Sequence, residues 1–324
     1  MYFLIFLQIV TVHLFSKHEI KDLKVIKNGK PQIIKNGNYS LPDNSKITIN
    51  NKVTRFFTGE IIVEKKKNKY LIFQRLELND YVFGVLSSEL DEMIPIEALK
   101  AFYLVVKNYS ITNFKRHKKL RADFCDIAHC QLYYGNSGFK NKIKSLLTEL
   151  KSKKIFYKNK LAFTPYSSSC GNQICSSKTI WNKNIAYLKA KKLKTKFDKW
   201  SFKLDLHDLH EIIGINSINN IFYENSCVFR IDGIKINTLT GLDEHKKISI
   251  SGENFRRKIN QKLGWNKIKS NVFSIKKYKN YYLIKGSGFG HNVGFCIKEA
   301  IYLAKKGMSY IEILDYFFEG IELR

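Results

Sequence analysis

Proline is scarce in this sequence, with 4 in 324 residues, and there is no low-complexity tract and no internal repeat. Repeat architectures are therefore excluded, and composition marks no linker between domains. No apolar run reaches membrane-spanning length. The N-terminal MYFLIFLQIVTVHLFSK is apolar from Tyr2 to Phe15, short of the ~20 residues a spanning helix needs. It has the length of a signal-peptide core, but lacks a preceding basic residue and a clear small-x-small cleavage site. Two readings follow. Residues 1–16 are an export segment or membrane anchor, or the run is a buried first strand, since Ile, Val and Phe suit strands.

Acidic residues are also few, 28 Asp+Glu against 56 Lys+Arg, for a formal net charge of +28. Such a balance suits a nucleic acid, an anionic membrane surface or an anionic polymer. Lysine far outnumbers arginine and is spread along the chain, apart from runs at Lys65–Lys67 and Lys189–Lys196. No element concentrates arginine in a base-reading motif, so no nucleic-acid partner is expected.

What is present describes a folded protein. Hydrophobic residues make up 44% and aromatics 14%, enough for one large domain or two smaller ones. From Leu23 to Leu78, short β-prone runs alternate with turns, and Asn28-Gly29 and Asn36-Gly37 are hairpin signals. The expected class is α+β. A β-rich lead-in over residues 23–78 precedes a mixed helix and strand domain over 79–324, with a basic surface insertion at about 178–200.

Within that domain, Tyr81 to Leu86 reads as a strand that ends at Ser87-Ser88-Glu89, and a helix starts at Pro95. Ile96, Leu99, Tyr103, Val106 and Ser110 share one face of it. Glu89 then occupies a turn between two buried elements. Further helices are expected over Gly138 to Ile155, Leu206 to Ile213, from Ser251 to Leu263, and up to Lys306. Ser309-x-x-Glu312 is a capping box for the last one. Val272 to Ile275 and Tyr281 to Lys285 form a hairpin leading into the loop GSGFGHNVGFC, Gly286 to Cys296.

Three groups of residues carry candidate chemistry. Glu89 is either a solvated carboxylate near the positive end of a helix dipole or a catalytic acid. The Gly286–Cys296 loop lacks the spacing of either nucleotide fingerprint. Its glycines let the backbone pass close to a neighbour while presenting His291. The six cysteines are Cys125, Cys130, Cys170, Cys175, Cys227 and Cys296. Disulfides of unassigned connectivity or free thiols are preferred for them. In the alternative, Cys125, His129 and Cys130 supply three zinc ligands.

Taken in order, the motifs resemble the sporulation stage II protein D and LytB amidase-enhancer family. The likeness is carried by Tyr81-Val-Phe-Gly-Val-Leu-Ser-Ser-Glu89-Leu90 and Pro95-Ile-Glu-Ala-Leu-Lys-Ala101. It continues through Cys125-Asp-Ile-Ala-His-Cys-Gln-Leu-Tyr-Tyr-Gly135, the serine-rich Ser167–Gly171, Gly286–His291 and the tail Ala304–Leu314. The resemblance implies a peptidoglycan lytic transglycosylase in which Glu89 alone carries the reaction and no cofactor is needed. Ser88, Lys100, Gln131, Tyr133, Ser168, Ser169, Gly288 and His291 would contact substrate. It also implies an exported protein of the cell envelope, with peptidoglycan glycan strands and a cell-wall amidase as partners. A non-catalytic, amidase-stimulating role is the alternative. Hydrolysis by a carboxylate pair that includes Asp91 or Glu92 is the rival chemistry. The chain departs from the family pattern at Phe102, Lys107, Asn172, Asn292 and Ile297. Phe102 replaces a glutamine and so removes a two-way hydrogen-bonding group.

Overall fold

Asn28 and Gly29 both take positive φ, 49° and 74°, and close a tight hairpin in the computed structural model, as their types favour. The structure describes residues 8–32, 34–90, 93–135, 145, 147–195, 198–239 and 242–324. Two compact units divide the chain: Met1–Ile94, Phe102–Phe163 and Glu322–Arg324 form one, and Pro95–Ala101 with Thr164–Ile321 the other.

The first unit is built on a seven-stranded sheet. Its strands are β1 (Ile9–Leu14), β2 (Leu23–Lys27), β3 (Lys30–Gln32), β4 (Gly37–Ile49), β5 (Val53–Lys66), β6 (Lys69–Glu77) and β7 (Phe124–Cys125), in the spatial order β3-β2-β4-β5-β6-β1-β7. β1 runs antiparallel to β6 and parallel to β7, with Val10, Val12 and Leu14 fully buried. Ile9–Leu14 of the N-terminal apolar run is thus a strand, and removing residues up to 16 would take it out of the sheet. Residues 1–7 lie outside the described region.

Tyr81 to Leu86 is not a strand. It lies within helix α1 (Leu78–Glu89), so Glu89 ends a helix rather than occupying a strand-to-helix turn. Leu78, Tyr81, Val82, Val85 and Leu86 recur at helical spacing and are all buried. Phe83 and Gly84 are buried as well, which fills the apolar pattern all round and hides its period. Helix α2 (Ile96–Thr112) follows, its first turn grouped with the second unit and the remainder with the first. Among its residues, Phe102 to Val106 are buried without interruption. Asn108 is buried too: its amide donates to the carbonyls of Ile155 and Ala162 at 2.7 and 2.8 Å and accepts from the Ile155 N–H. This ties α2 to the small sheet of β8 (Ile155–Tyr157), β9 (Lys160–Leu161) and the C-terminal Glu322–Leu323. Residues 138–144 and 146 of the helix expected over Gly138 to Ile155 lie outside the described residues, and its second half is not α-helical. Its described end is a short 3-10 turn, Thr148–Leu150, and β8.

The second unit contains β10 (Tyr166–Ser167), β11 (Gln173–Ile174), β12 (Lys191–Lys192), β13 (Lys199–Asp205), β14 (Ser217–Glu224), β15 (Cys227–Leu239), β16 (Leu242–Ser251), β17 (Phe273–Lys277), β18 (Tyr281–Ser287) and β19 (Phe295–Cys296). They form two pairs, β10-β19 and β11-β12, and two three-stranded sheets, β13-β18-β17 and β14-β15-β16. Helices α3 (Ser177–Trp181), α4 (Leu206–Ile213), α5 (Gly252–Leu263), α6 (Ile297–Lys305) and α7 (Tyr310–Phe317) accompany them. Trp200, Leu204, Phe255, Ile259, Phe273 and Ile284 share one core. The caps read from the sequence form: Ser251 Oγ accepts from the Asn254 N–H at 3.3 Å, and Ser309 with Glu312 completes a capping box. The basic stretch at 178–200 is not merely a solvated surface, because Ile180, Leu188 and Leu193 are buried. No helix among the described residues is long and apolar enough to cross a membrane.

Candidate functional site

Glu89 is half-buried at the last position of α1. The backbone N–H of Leu132 donates to its Oε1 at 3.2 Å. One residue earlier, Ser88 Oγ donates to the Gly84 carbonyl and accepts from the Tyr134 N–H, both at 2.8 Å. These bonds fasten the segment after Gln131 to the end of α1. Beside them opens a cleft of about 560 Å³, lined among others by Lys17, His18, Arg55, Phe56, Ser88 and Tyr134. Phe56 and Tyr134 are 43% and 46% exposed, so both rings face solvent. Arg55 lies between the rings of Phe15 and Tyr134, 4.7 and 4.6 Å from their centroids. Its guanidinium pairs at 2.5 Å with buried Asp126, which also accepts from the Phe15 and Ser16 N–H groups. Arg55 therefore positions Tyr134. Burial, then the charges of Lys17 and Arg55, hold His18 below the usual imidazole value, so it is neutral near pH 7. Of these cleft residues, Ser88 and Tyr134 fall within motifs read from the sequence, whereas Lys17, His18, Arg55 and Phe56 do not.

Two expected substrate contacts are core residues instead. Tyr133 is fully buried and donates to Gln74 Oε1 at 2.7 Å, and burial raises its phenol well above the ordinary value. A Cβ on Gly84 would meet Tyr133 Cε2 at 2.2 Å, so glycine at that position makes room for the ring. Gln131 is buried and accepts from Ser110 Oγ at 2.8 Å. Lys107 is a structural cation: its ammonium donates to the carbonyls of Lys151, Lys153 and Leu150. Burial, then Lys154, push it down to about 8. Phe102 is also fully buried. Asp91 and Glu92 lie outside the described residues.

The remaining expected contacts belong to the second unit. Lys100 pairs with Glu97 at 3.6 Å and lies 5.5 Å from the Tyr310 ring centroid. Ser169 and Phe289 exchange backbone hydrogen bonds at 3.1 and 2.6 Å, while Ser168 is exposed. The glycines of the Gly286–Cys296 loop allow close backbone approach: a Cβ on Gly288 would meet the Gly171 nitrogen at 2.4 Å, and one on Gly290 would meet Ser167 Cβ at 2.5 Å. His291 Nδ1 accepts from the Val293 N–H at 3.0 Å, which leaves the proton on Nε2 when the ring is neutral. Burial, then Arg256, push its pKa down to about 3, so the ring is neutral at any physiological pH. Asn292 has φ 64° and is fully buried. There it accepts from the Asn271 N–H and donates to the Cys170 carbonyl. Asparagine tolerates this left-handed backbone, which explains how it holds this position.

A separate cluster lies in the first unit. Ligand atoms of His117, Cys125, His129 and Cys130 are all within 4.8 Å of one another. His129 Nδ1 is 3.6 Å from both sulfurs, and His117 Nε2 is 3.2 Å from Cys130 Sγ. Zinc bonds of ~2.3 Å to sulfur and ~2.0–2.1 Å to nitrogen put neighbouring atoms of a tetrahedron roughly 3.3–3.8 Å apart. The donor set fits zinc. The hydrogen bond with Cys130 holds the Cys125 thiol far below its ordinary range against the opposing effect of burial, while Cys130 is pushed up. Cys125 and Cys130 are not bridged, and the one disulfide among the described residues joins Cys175 to Cys227. The sequence supplied three of the four ligands. His117 was missed because its distance along the chain from the Cys-x-x-x-His-Cys run matches no standard finger.

Residues 66–157 match the family profile described as stage II sporulation protein. An uncharacterized protein of Brachyspira hyodysenteriae (strain ATCC 49526 / WA1) is 25% identical over 274 residues, 82% of this chain and 72% of that protein. Stage II sporulation protein D of Bacillus subtilis (strain 168) is 23% identical over 270 residues, covering 77% of this chain and 75% of its own length. The amidase enhancer of the same strain is 24% identical over 286 residues, which are 74% of this chain and 40% of the enhancer. The likeness read from the motifs is to this family, and residues 66–157 carry its stage II sporulation protein match.

Proposed function

We propose that the protein acts on the cell wall as a lytic transglycosylase, cleaving the MurNAc–GlcNAc bond of peptidoglycan glycan strands from an exported position in the envelope. The carrying observation is the placement of Glu89 at the C-terminal end of α1, one residue beyond Ser88 on the cleft of about 560 Å³. The negative end of the helix dipole disfavours a carboxylate there and favours the acid form, whereas the Leu132 N–H favours the charged form. A carboxyl at a helix end beside a cleft suits a group that must first give a proton and then take one.

In the reaction, the Glu89 carboxylic acid donates its proton to the glycosidic oxygen as the bond from muramic C1 to that oxygen breaks. The resulting carboxylate takes the proton of the muramic C6 hydroxyl, whose oxygen bonds to C1 and closes the 1,6-anhydro ring. Glu89 ends protonated, and no water is consumed, so no second carboxylate is needed. Phe56 and Tyr134 offer ring faces to the sugars, and Lys17 offers a charge to the muramic carboxylate. His117, Cys125, His129 and Cys130 would hold a zinc ion with a full set of protein ligands; its contribution when bound is structural, clipping the segment after β7.

A second reading has its own support. Gln131, Tyr133 and Lys107 serve packing, which leaves fewer side chains for substrate, and one relative is named an amidase enhancer. Under that reading the cleft binds glycan without cleaving it and the protein stimulates a partner amidase. Incubation with glycan strands stripped of peptide, followed by mass spectrometry of the ends, separates the two. Anhydromuramic ends that vanish in Glu89→Gln support transglycosylation; none from the wild type leaves the enhancer role.

A further inference from the structure

The sheet β13-β18-β17 turns one face to the core and the other to solvent. Trp200, Phe273 and Ile284 take the inner face, while Lys199, Lys285 and Ser274 are exposed on the outer one. Register places Lys199 opposite Ser287, and Lys285 between Ser201 and Ser274. The two lysines are therefore diagonal cross-strand neighbours, ~7–8 Å apart. Neither has an ion pair or a side-chain hydrogen bond among the described residues. Two like charges so placed attract an anion.

A wall rises beside them at the tight turn between β14 and β15, where Asn225 and Ser226 take φ of 48° and 65°. Two ties fix that wall. Thr179 Oγ1 donates to Glu224 Oε2 at 2.7 Å, and Cys227 is bonded to Cys175. Asn172, which also lines the cleft, lies three residues before the disulfide-bonded Cys175. The Tyr223 ring remains 47% exposed. These residues frame an open cleft of about 510 Å³, within the usual size of ligand sites.

The lining unites paired ammonium groups, an amide, hydroxyls and an exposed ring. We propose that this cleft binds an acidic saccharide: Lys199 and Lys285 meet its carboxylate, Asn172, Ser226 and Ser287 its hydroxyls, and Tyr223 a ring face. No residue of the Glu89 cleft takes part, so this assignment goes beyond the transglycosylase reading and can stand without it.

The test is calorimetric titration of the full chain with three probes. One is a hexasaccharide alternating N-acetylglucosamine with glucuronate; the others are neutral chitohexaose and a uridylate hexanucleotide. The acidic saccharide is expected to bind tightest, and more weakly as salt rises. Lys199→Gln with Lys285→Gln is expected to weaken it by about 5-fold, the scale of one exposed ion pair at full strength or two at half. Tyr223→Ala weakens the acidic and neutral saccharides alike, and Lys24→Gln with Lys30→Gln, at exposed positions of the first unit, changes neither. Thermal melting checks that each variant is folded. Undiminished binding by the double lysine variant, equal affinity for the oligonucleotide, or no saccharide binding at all would each overturn the assignment. Glu89-dependent cleavage of glycan strands, measured separately, is unaffected by any of those results.

Discussion

The backbone N–H of Leu132 donates to Glu89 Oε1 at 3.2 Å, joining residues 43 apart in the chain. Glu89→Gln retains an oxygen that can accept this bond but has no proton of carboxyl acidity to give. It is expected to melt with the wild type yet form anhydromuramic ends at least about 100-fold more slowly, the lower range for losing general acid catalysis. Glu89→Asp shortens the side chain and weakens the Leu132 contact, so it is expected to lose both rate and some stability. Comparing end formation with melting temperature across the two variants checks this.

Gly84 and Tyr133 give a second prediction. The glycine's missing Cβ is occupied by the tyrosine ring, and Tyr133 is fully buried and bonded to Gln74. Gly84→Ala gains helix propensity at that position but forces the ring aside, and overpacking of this kind costs about 1–3 kcal/mol. Denaturant unfolding is expected to show a net loss of stability, and a Gly84→Ala, Tyr133→Phe double variant is expected to recover little, because the clash is with ring carbons.

The local signals in the sequence were the ones that could be read. Asn28-Gly29 closes its hairpin, Ser251 and Ser309 cap their helices, and Leu206–Ile213 is a helix, because each depends on residues near one another in the chain. Helix α1 was hidden because burial on all sides removes the polar face that reveals a helical period. At the site, a motif cannot separate a residue that touches a ligand from one that holds the motif together. Ser88 lines a cleft, whereas Gln131 and Tyr133 of the neighbouring motif point into the core. Lys17, Arg55 and His117 join their clusters only through tertiary folding, which no spacing in the chain announces.

Lys107 makes stability depend on pH with a definite sign. Its folded value is about 8 against an ordinary 10.5, so between those values the unfolded chain holds the proton more tightly. The contribution of this residue to stability therefore rises as pH climbs through that window and is lowest where both states are charged, below about 8. Lys107→Met removes this rise. It also leaves the carbonyls of Leu150, Lys151 and Lys153 without their donor; Lys151 and Lys153 are exposed to water, so the cost is about 1–3 kcal/mol for the buried Leu150 carbonyl. Subtracting variant from wild-type unfolding curves, taken at pH steps across the window, isolates the effect.

The four-residue cluster predicts a metal. Protein purified without added metal is expected to carry one zinc per chain by elemental analysis, held by His117, Cys125, His129 and Cys130. A strong chelator is expected to lower the melting temperature, and Cys130→Ser to lower both metal content and melting temperature. Metal-free wild type that melts unchanged in chelator would retire the site.

Cys170 and Cys296 form the last expectation. The Cys170 N–H donates to Cys296 Sγ at 3.3 Å, and both thiols are fully buried. The backbones are brought together by the β10-β19 bridge, in which Ser167 faces Cys296. Given oxidised glutathione, each cysteine loses its S–H proton, one S–S bond forms between them, and two glutathione thiols are released. That would give a second disulfide beside Cys175–Cys227. The bridge closes a loop of 126 residues, for which chain entropy alone suggests a gain of about 4–5 kcal/mol. Peptide mapping without reductant is expected to find the Cys170–Cys296 peptide, and the oxidised protein is expected to melt higher than the Cys170→Ser variant treated in the same way. If mapping finds only Cys175–Cys227 after prolonged oxidation, burial shields the pair from the oxidant and the two thiols persist.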